Sequence, residues 1–284
     1  MIVLGVMAAL LPTAAMAATT KDTSLSISPL RQELSVTEGA AASGKVTIGN
    51  QTESPITVTM TVKEFAVTDF AYDYVFKQPQ DDWVKLPLPQ AVLVSHESKS
   101  VAYSVNVPKR ATPGGHYFAI FASTEIPGEG LPGTAQVVSL LYLTVKGELV
   151  RTSVLQNDTV PFLVTGSEVP YKFDVKDTGN IYFTAYFYGQ LQGLFGQLPE
   201  SGTSHLLMPG AVRTVDGAIP APLWPGIYKF TYGYKVDFAS IITTKSSYIV
   251  YVPPWSIAAL VFLLLAGHWL WQRRHKSSKP TPET

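Results

Sequence analysis

Cysteine is absent from the 284 residues, which excludes disulfides, thiolate metal sites and cysteine nucleophiles. Charge is scarce: Asp, Glu, Lys and Arg make up 15% of the chain, against roughly 25% in an average globular protein. The 21 Lys and Arg balance 21 Asp and Glu, so there is no basic excess to hold nucleic acid and no acidic tail. Gly and Pro number 21 each but follow no three-residue period, which excludes collagen. The chemical motifs are missing too. There is no HExxH, no G-x-S-x-G elbow and no Walker-type Gly-Lys-Ser/Thr loop. His96, His116, His205, His268 and His275 form no i, i+4 pair. Asp81-Asp82 before Trp83 reads as a solvated turn. No metal, cofactor or catalytic residue is implied.

The apolar residues collect at the two ends. Met1 to Ala17 (MIVLGVMAALLPTAAMA) closes on Ala15-Met16-Ala17, a small-x-small cleavage pattern. It reads as a secretory signal, or as an uncut anchor, since no Lys or Arg precedes it. Trp255 to Trp271 is a run of 17 residues without a formal charge. As a helix rising ~1.5 Å per residue it is about 25 Å long, within spanning range. Pro254 suits a helix start. Trp255 lies at one end, with Trp269 and Trp271 at the other, as interfacial anchors do. His268, one turn from the Trp271 end, reads as a neutral group near the interface. Beyond it come Arg273, Arg274, Lys276 and Lys279 against Glu283 alone, leaving 17 Lys/Arg and 20 Asp/Glu before the span, about −3. The positive-inside rule puts this tail in the cytoplasm and everything before Trp255 outside.

Between the ends lie short β-rich runs with period-two alternation, such as Ile56–Val67 (ITVTMTVKEFAV) and Ile227–Val236. Their turn chemistry occurs twice in the same order. Gly49-Asn50-Gln51-Thr52 precedes one long strand, and Asp177-Thr178-Gly179-Asn180 precedes another. Pro113-Gly114-Gly115-His116-Tyr117 and Pro225-Gly226-Ile227-Tyr228 each lead into an aromatic strand. The pattern implies an all-β protein of two tandem immunoglobulin-like sandwiches followed by one transmembrane helix. The divisions are 1–17 signal, 18–148 and 149–252 sandwiches, 253–272 span and 273–284 cytoplasmic tail, with Gly147 as the hinge candidate. Gly114, Gly115 and Gly226 are expected to permit positive φ. Tyr117 and Tyr228 are expected to form tyrosine corners. The Asn50-Gln51-Thr52 and Asn157-Asp158-Thr159 sequons are expected to serve turns.

The aromatics allow a binding surface. Phe70, Tyr72, Tyr74 and Phe76 alternate, so a strand would place them on one face. Tyr182, Tyr186 and Tyr188 share a face opposite Phe183 and Phe187. Two aromatic faces cannot both be core, so one is either exposed for a polymer or protein, or covered by the other domain. Phe70, Tyr72 and Tyr74 are the candidate ligand-binding residues.

The layout resembles the bacterial WxL-interacting proteins of the cell surface. The stretches that carry it are Ile27-Ser28-Pro29 with Thr37-Glu38-Gly39, Asp82-Trp83-Val84, Val107 to Tyr117, Asp177 to Asn180, Met208-Pro209-Gly210 and Pro225-Gly226-x-Tyr228. The resemblance implies a signal peptide, a peptidoglycan-binding-type sandwich, a second sandwich described as host-binding, one span and a basic tail. The resulting expectation is a non-catalytic, membrane-anchored bacterial surface protein. It would hold cell-wall polymer or a secreted surface protein, with no nucleic acid as partner. An assembly factor acting by β-strand augmentation is the alternative, and a wall-modifying enzyme a further one. Deleting residues 255–284 is expected to move the protein from cells to the medium in a fractionation immunoblot. Full cell retention of the truncated chain would count against anchoring.

Overall fold

The computed structural model describes residues 25–80, 82–126, 133–194, 196–198, 200–236 and 241–276. The expected signal segment, Asp81 and the end of the tail lie outside the described residues. What is described is two β-sandwiches in tandem, then one apolar helix.

The first sandwich contains β1 (Leu25–Ser28), β2 (Arg31–Val36), β3 (Ala41–Asn50), β4 (Ile56–Val67), β5 (Tyr74–Lys77), β6 (Val84–Lys85), β7 (Gln90–Leu93), β8 (Ser98–Asn106), β9 (Gly114–Ile126) and β10 (Gly133–Val145). One sheet runs β1-β3-β8-β6. The other runs β2-β10-β9-β4, with β7 and β5 sharing the far side of β4. The chain changes sheets between β1 and β2, and β2 then pairs parallel to β10. Alternation supplies the core: Val46 and Ile48 of one sheet meet Ile120, Leu141 and Leu143 of the other. Tyr103 fits among them because Gly44 leaves room under its ring, and its hydroxyl donates to Gln32 Oε1 at 3.0 Å.

The second sandwich repeats the scheme with β11 (Ser153–Thr159), β12 (Leu163–Val164), β13 (Glu168–Asp177), β14 (Phe183–Gly193), β15 (Gly196–Gln197), β16 (Ser201–Leu207), β17 (Val212–Pro220), β18 (Gly226–Val236) and β19 (Ile241–Tyr251). One sheet is β11-β13-β17 and the other β12-β19-β18-β14, with β15 and β16 on the far side of β14. Here too the chain changes sheets early, and β12 pairs parallel to β19. This core is more aromatic, built on Phe173, Phe187, Phe230 and Tyr234. Such rings bury large areas, and Phe187 meets both Phe173 and Tyr234 at tilted angles.

Helix α1 (Pro254–Lys276) contains a 20-residue stretch, Pro254–Arg273, of mean hydropathy 1.5. None of it is buried against the sandwiches. It is long and apolar enough to cross a membrane.

Local turn chemistry corrects two expectations. Of the three turn glycines, only Gly114 has a positive φ, at 133°. Gly226 needs no special conformation, and a Cβ there would meet Tyr228 at ordinary contact distance. Residues 70–76 do not form one strand either. Phe70 and Tyr72 have φ of 67° and 63°, which breaks the alternation, and the strand begins only at Tyr74.

In the second sandwich the Tyr228 hydroxyl donates to the Trp224 carbonyl at 2.8 Å, four residues upstream. Tyr228→Phe is expected to lower the unfolding free energy by ~1 kcal/mol, read as a shifted denaturant midpoint. An unchanged midpoint would remove the corner as a stabilising contact.

Candidate functional site

Most of the sequence candidates converge on the junction between the sandwiches. Asn50 does not: it is fully buried inside the first. Its Nδ2 donates to the Ser54 and Val94 carbonyls at 2.8 and 2.9 Å, and its Oδ1 accepts from the Thr52 N–H at 2.9 Å. It is a turn residue, closed to solvent.

Asn180, its counterpart in the repeat, ties the junction together. Its Nδ2 donates to the Pro113 and Glu148 carbonyls at 3.1 and 2.9 Å, and its Oδ1 accepts from the Val150 N–H at 2.8 Å. Its carbonyl accepts the Gly115 N–H at 2.8 Å. Glycine is required around it. A Cβ on Gly114 would lie 2.5 Å from the Asn180 oxygen, and one on Gly179 2.2 Å from the Val150 oxygen. Gly147, at a φ of 152°, lies against the ring of Pro113. The hinge candidate is therefore exposed, but braced on one side by the first sandwich.

A second set of bonds lies alongside. The Tyr117 hydroxyl accepts the Tyr182 N–H at 3.0 Å, across the junction and not within a corner of its own sandwich. The loop 68–73 reaches the turn 208–212: Phe70 N–H donates to the Val212 carbonyl at 2.6 Å, and Val212 N–H to Asp69 Oδ1 at 2.8 Å. Met208 N–H donates to the Tyr72 hydroxyl at 2.7 Å. The Arg213 guanidinium lies 4.4 Å over the Tyr72 ring. Burial pushes the Tyr72 hydroxyl up to about 12. The aromatic face offered as a ligand platform is thus divided. Tyr72 belongs to the junction, while Phe70 and Tyr74 keep about half their surface, at 56% and 47%. Tyr74 lies edge-on to Phe65 and stacks on Phe76. Of the second aromatic face, Tyr182 is drawn into the junction, packing on Tyr142 with the Arg31 guanidinium 4.1 Å from the Tyr142 ring, while Tyr186 stays half-exposed.

Sequence reasoning passed over the feature with the clearest binding geometry. β9 and β10 pair along their whole length, Gly114↔Val145 to Ile126↔Gly133. Their neighbours do not follow them to the end. β2 begins at Arg31 opposite Leu140, and the pairing of β9 with β4 stops at Ser123↔Thr59. The Leu140 N–H points outward, donating to the Leu30 carbonyl at 2.8 Å. Alternation then aims the backbone groups of Val138, Gln136 and Thr134 to the same side. Among the described residues no strand pairs with them. Leu30, 70% exposed, stands at the inner end of this open edge. On the other side of the hairpin, where β4 and β9 part, lies a cleft of about 850 Å³ lined largely by hydroxyls, including Thr57, Thr59, Ser123 and Thr134. Among the described residues no three His, Asp or Glu side chains come close enough to hold a metal ion.

The turn that carries Asn180 also buries a carboxyl. Asp177 Oδ1 accepts the Gly179 N–H at 2.8 Å, while Oδ2 is buried without a partner. Burial raises its pKa to about 6.

No protein-family model matches the chain, and no curated protein does. Among solved structures the chain is similar to the class 5 fimbriae chaperone CfaA, at 10% identity over 81% of this chain and 99% of that one, with a TM-score of 0.46. It is similar to the CsuC–CsuE chaperone–tip subunit pre-assembly complex from archaic Csu pili of Acinetobacter baumannii, at 13% identity over 69% and 90%, TM-score 0.39. It is also similar to the Salmonella enterica SafA pilin–SafB chaperone complex, at 14% identity over 81% and 98%, TM-score 0.37.

Because the folded pKa of Asp177 exceeds the unfolded value near 4, the folded state holds the extra proton between about pH 4 and 6. Its contribution to stability therefore declines as pH rises through that window, by up to roughly 3 kcal/mol, and is level above about pH 7. Asp177→Asn is expected to flatten this part of the curve and to raise the melting temperature at pH 7.5 relative to wild type. Parallel pH–stability curves for the two proteins would show that Asp177 ionises freely.

Proposed function

We propose that this chain is a membrane-anchored, non-catalytic binding protein of the bacterial cell surface. It captures an extended segment of a secreted surface protein by strand addition to the open edge of β10. The observation that carries this reading is the stretch Gly133–Ser139, whose outward backbone groups have no strand partner among the described residues. An unpaired edge is a template for another chain: backbone hydrogen bonds supply affinity, and alternate side chains supply selectivity. The edge is partly apolar. Ala135 and Val137 lie against the core of the first sandwich, and Val138 and Leu140 against the interdomain cluster. An incoming strand would continue both surfaces, with Leu30 at its inner end. Helix α1 would hold the edge at the membrane, with both sandwiches outside and the basic tail in the cytoplasm. Tethering raises the effective concentration of a partner leaving the same membrane, so a modest single contact suffices.

Capture of cell-wall polymer has less support. The aromatic platform it would use is split, with Tyr72 committed to the junction.

Proline at Gln136 removes an outward N–H without breaking the ladder to β9, because edge positions tolerate proline. Gln136→Pro and Val138→Pro are each expected to abolish partner crosslinking in a pull-down from intact cells. Phe70→Ala/Tyr74→Ala is expected to leave it unchanged. Capture that survives both prolines but is lost in the aromatic double variant would replace this reading with an aromatic contact site.

A further inference from the structure

The second sandwich presents an apolar surface at the end from which α1 departs. Leu163 pairs with Val250, and Val250 with Ile227 across the same row of the sheet. Continuing the β14–β18 register past Gln192↔Lys229 brings the β14–β15 turn, with Leu194, to that row. Gly193 at this turn lies against the Tyr228 ring. Side chains in one row project from one face. Leu194 is 92% exposed, Ile227 69% and Leu163 56%. Two loops add to them at the rim: Phe162, whose carbonyl accepts the Val250 N–H, and Leu223-Trp224 before β18. Their exposures run from 56% to 73%. A contiguous apolar patch on a protein surface marks an interaction site.

The position of the patch identifies what covers it. β19 ends at Tyr251, and α1 begins at Pro254. Val252 is held by its N–H bond to the Val164 carbonyl, and Ser256 bonds back to the Pro253 carbonyl through both N–H and hydroxyl. Only Val252 and Pro253 separate sheet from helix, a reach of at most about 10 Å, so the patch and the helix start lie close in depth. Trp224 touches Trp255, the first tryptophan of the helix, with ring centroids 5.9 Å apart and planes at 82°. Tryptophan favours the headgroup level.

We infer that this end of the second sandwich rests on the bilayer surface, with Phe162, Leu163, Leu194, Leu223, Trp224 and Ile227 in the headgroup region beside the helix. The partner is the lipid surface itself. The inference depends on the membrane-anchored reading of α1 and adds a second, peripheral contact. The sandwich is then fixed on the membrane and does not swing on a flexible stalk.

The test exploits the absence of cysteine, since single-cysteine variants take a fluorophore at one place only. Leu194→Cys, Leu223→Cys, Trp255→Cys and Ser54→Cys, each in the full chain, are labelled with an environment-sensitive dye. They are then reconstituted in phosphatidylcholine vesicles with or without nitroxide-bearing lipid. Dyes at 194, 223 and 255 are expected to emit further to the blue and to lose emission to the nitroxide, while the dye at 54, in the first sandwich, does neither. Quenching at 255 alone would overturn the surface contact and leave the anchor standing. A blue shift at 194 and 223 without quenching would mean that a second copy of the chain covers the patch, and would also overturn the inference. No quenching at 255 would overturn both the anchor and the contact that depends on it.

Discussion

The geometry of the whole molecule depends on one set of hydrogen bonds, those that fix the second sandwich to the first. Asn180 reaches three backbone groups, at Pro113, Glu148 and Val150, and its carbonyl takes a fourth bond from Gly115. Tyr117 and Tyr72 accept backbone N–H groups from the opposite sandwich. Three of these bonds, to Pro113, Tyr182 and Met208, are partly shielded from water, where an unpaired backbone group is costlier, and together the set penalises reorientation. Two immunoglobulin-like units on a glycine linker would otherwise move independently. Here the linker glycine is pressed against Pro113, and the junction is closed by Phe65, Tyr142 and Met208.

That rigidity relates the two exposed features of the structure. The open edge of β10 begins at the junction, where Leu140 meets the interdomain cluster, and runs out along the first sandwich to Gly133. The apolar end with α1 belongs to the second. With the junction fixed, an edge that takes up another chain has a set direction relative to the helix, and so relative to a membrane that the helix enters. The buried Asp177 lies in the same turn as Asn180. Its Oδ1 closes an Asx turn on the Gly179 N–H, immediately before Asn180.

Much of the fold was legible in the sequence, because central strands carry the period-two signal. Ile56–Val67 reads as a strand and is one from end to end, and the central β9, β10, β14 and β18 were visible in part or whole. Strands that pair on one side only, or that are short, were not visible. β2 (RQELSV), β11 (SVLQNDT) and β16 (SGTSHLL) carry polar side chains on both faces, since edge positions need not be buried on either. The run DFAYDYVF misled for a different reason. Its alternation is that of a strand, yet Phe70 and Tyr72 take left-handed backbone geometry because the loop they form bonds to residues 208–212, over 130 positions away.

The sequence by itself determined the class of the molecule: no thiol or catalytic motif, two strand-rich halves with the same turn chemistry, and one charge-free run followed by basic residues. These properties reside in composition and in spacings of a few residues, where the physics is local. Which surface is left open was decided only by tertiary structure. Tyr72 becomes a junction residue and Gln136 an edge residue through pairings that depend on where distant strands stop. Strand ends are set by packing between sheets and domains, a sum over contacts far apart in the chain, and no local pattern encodes it.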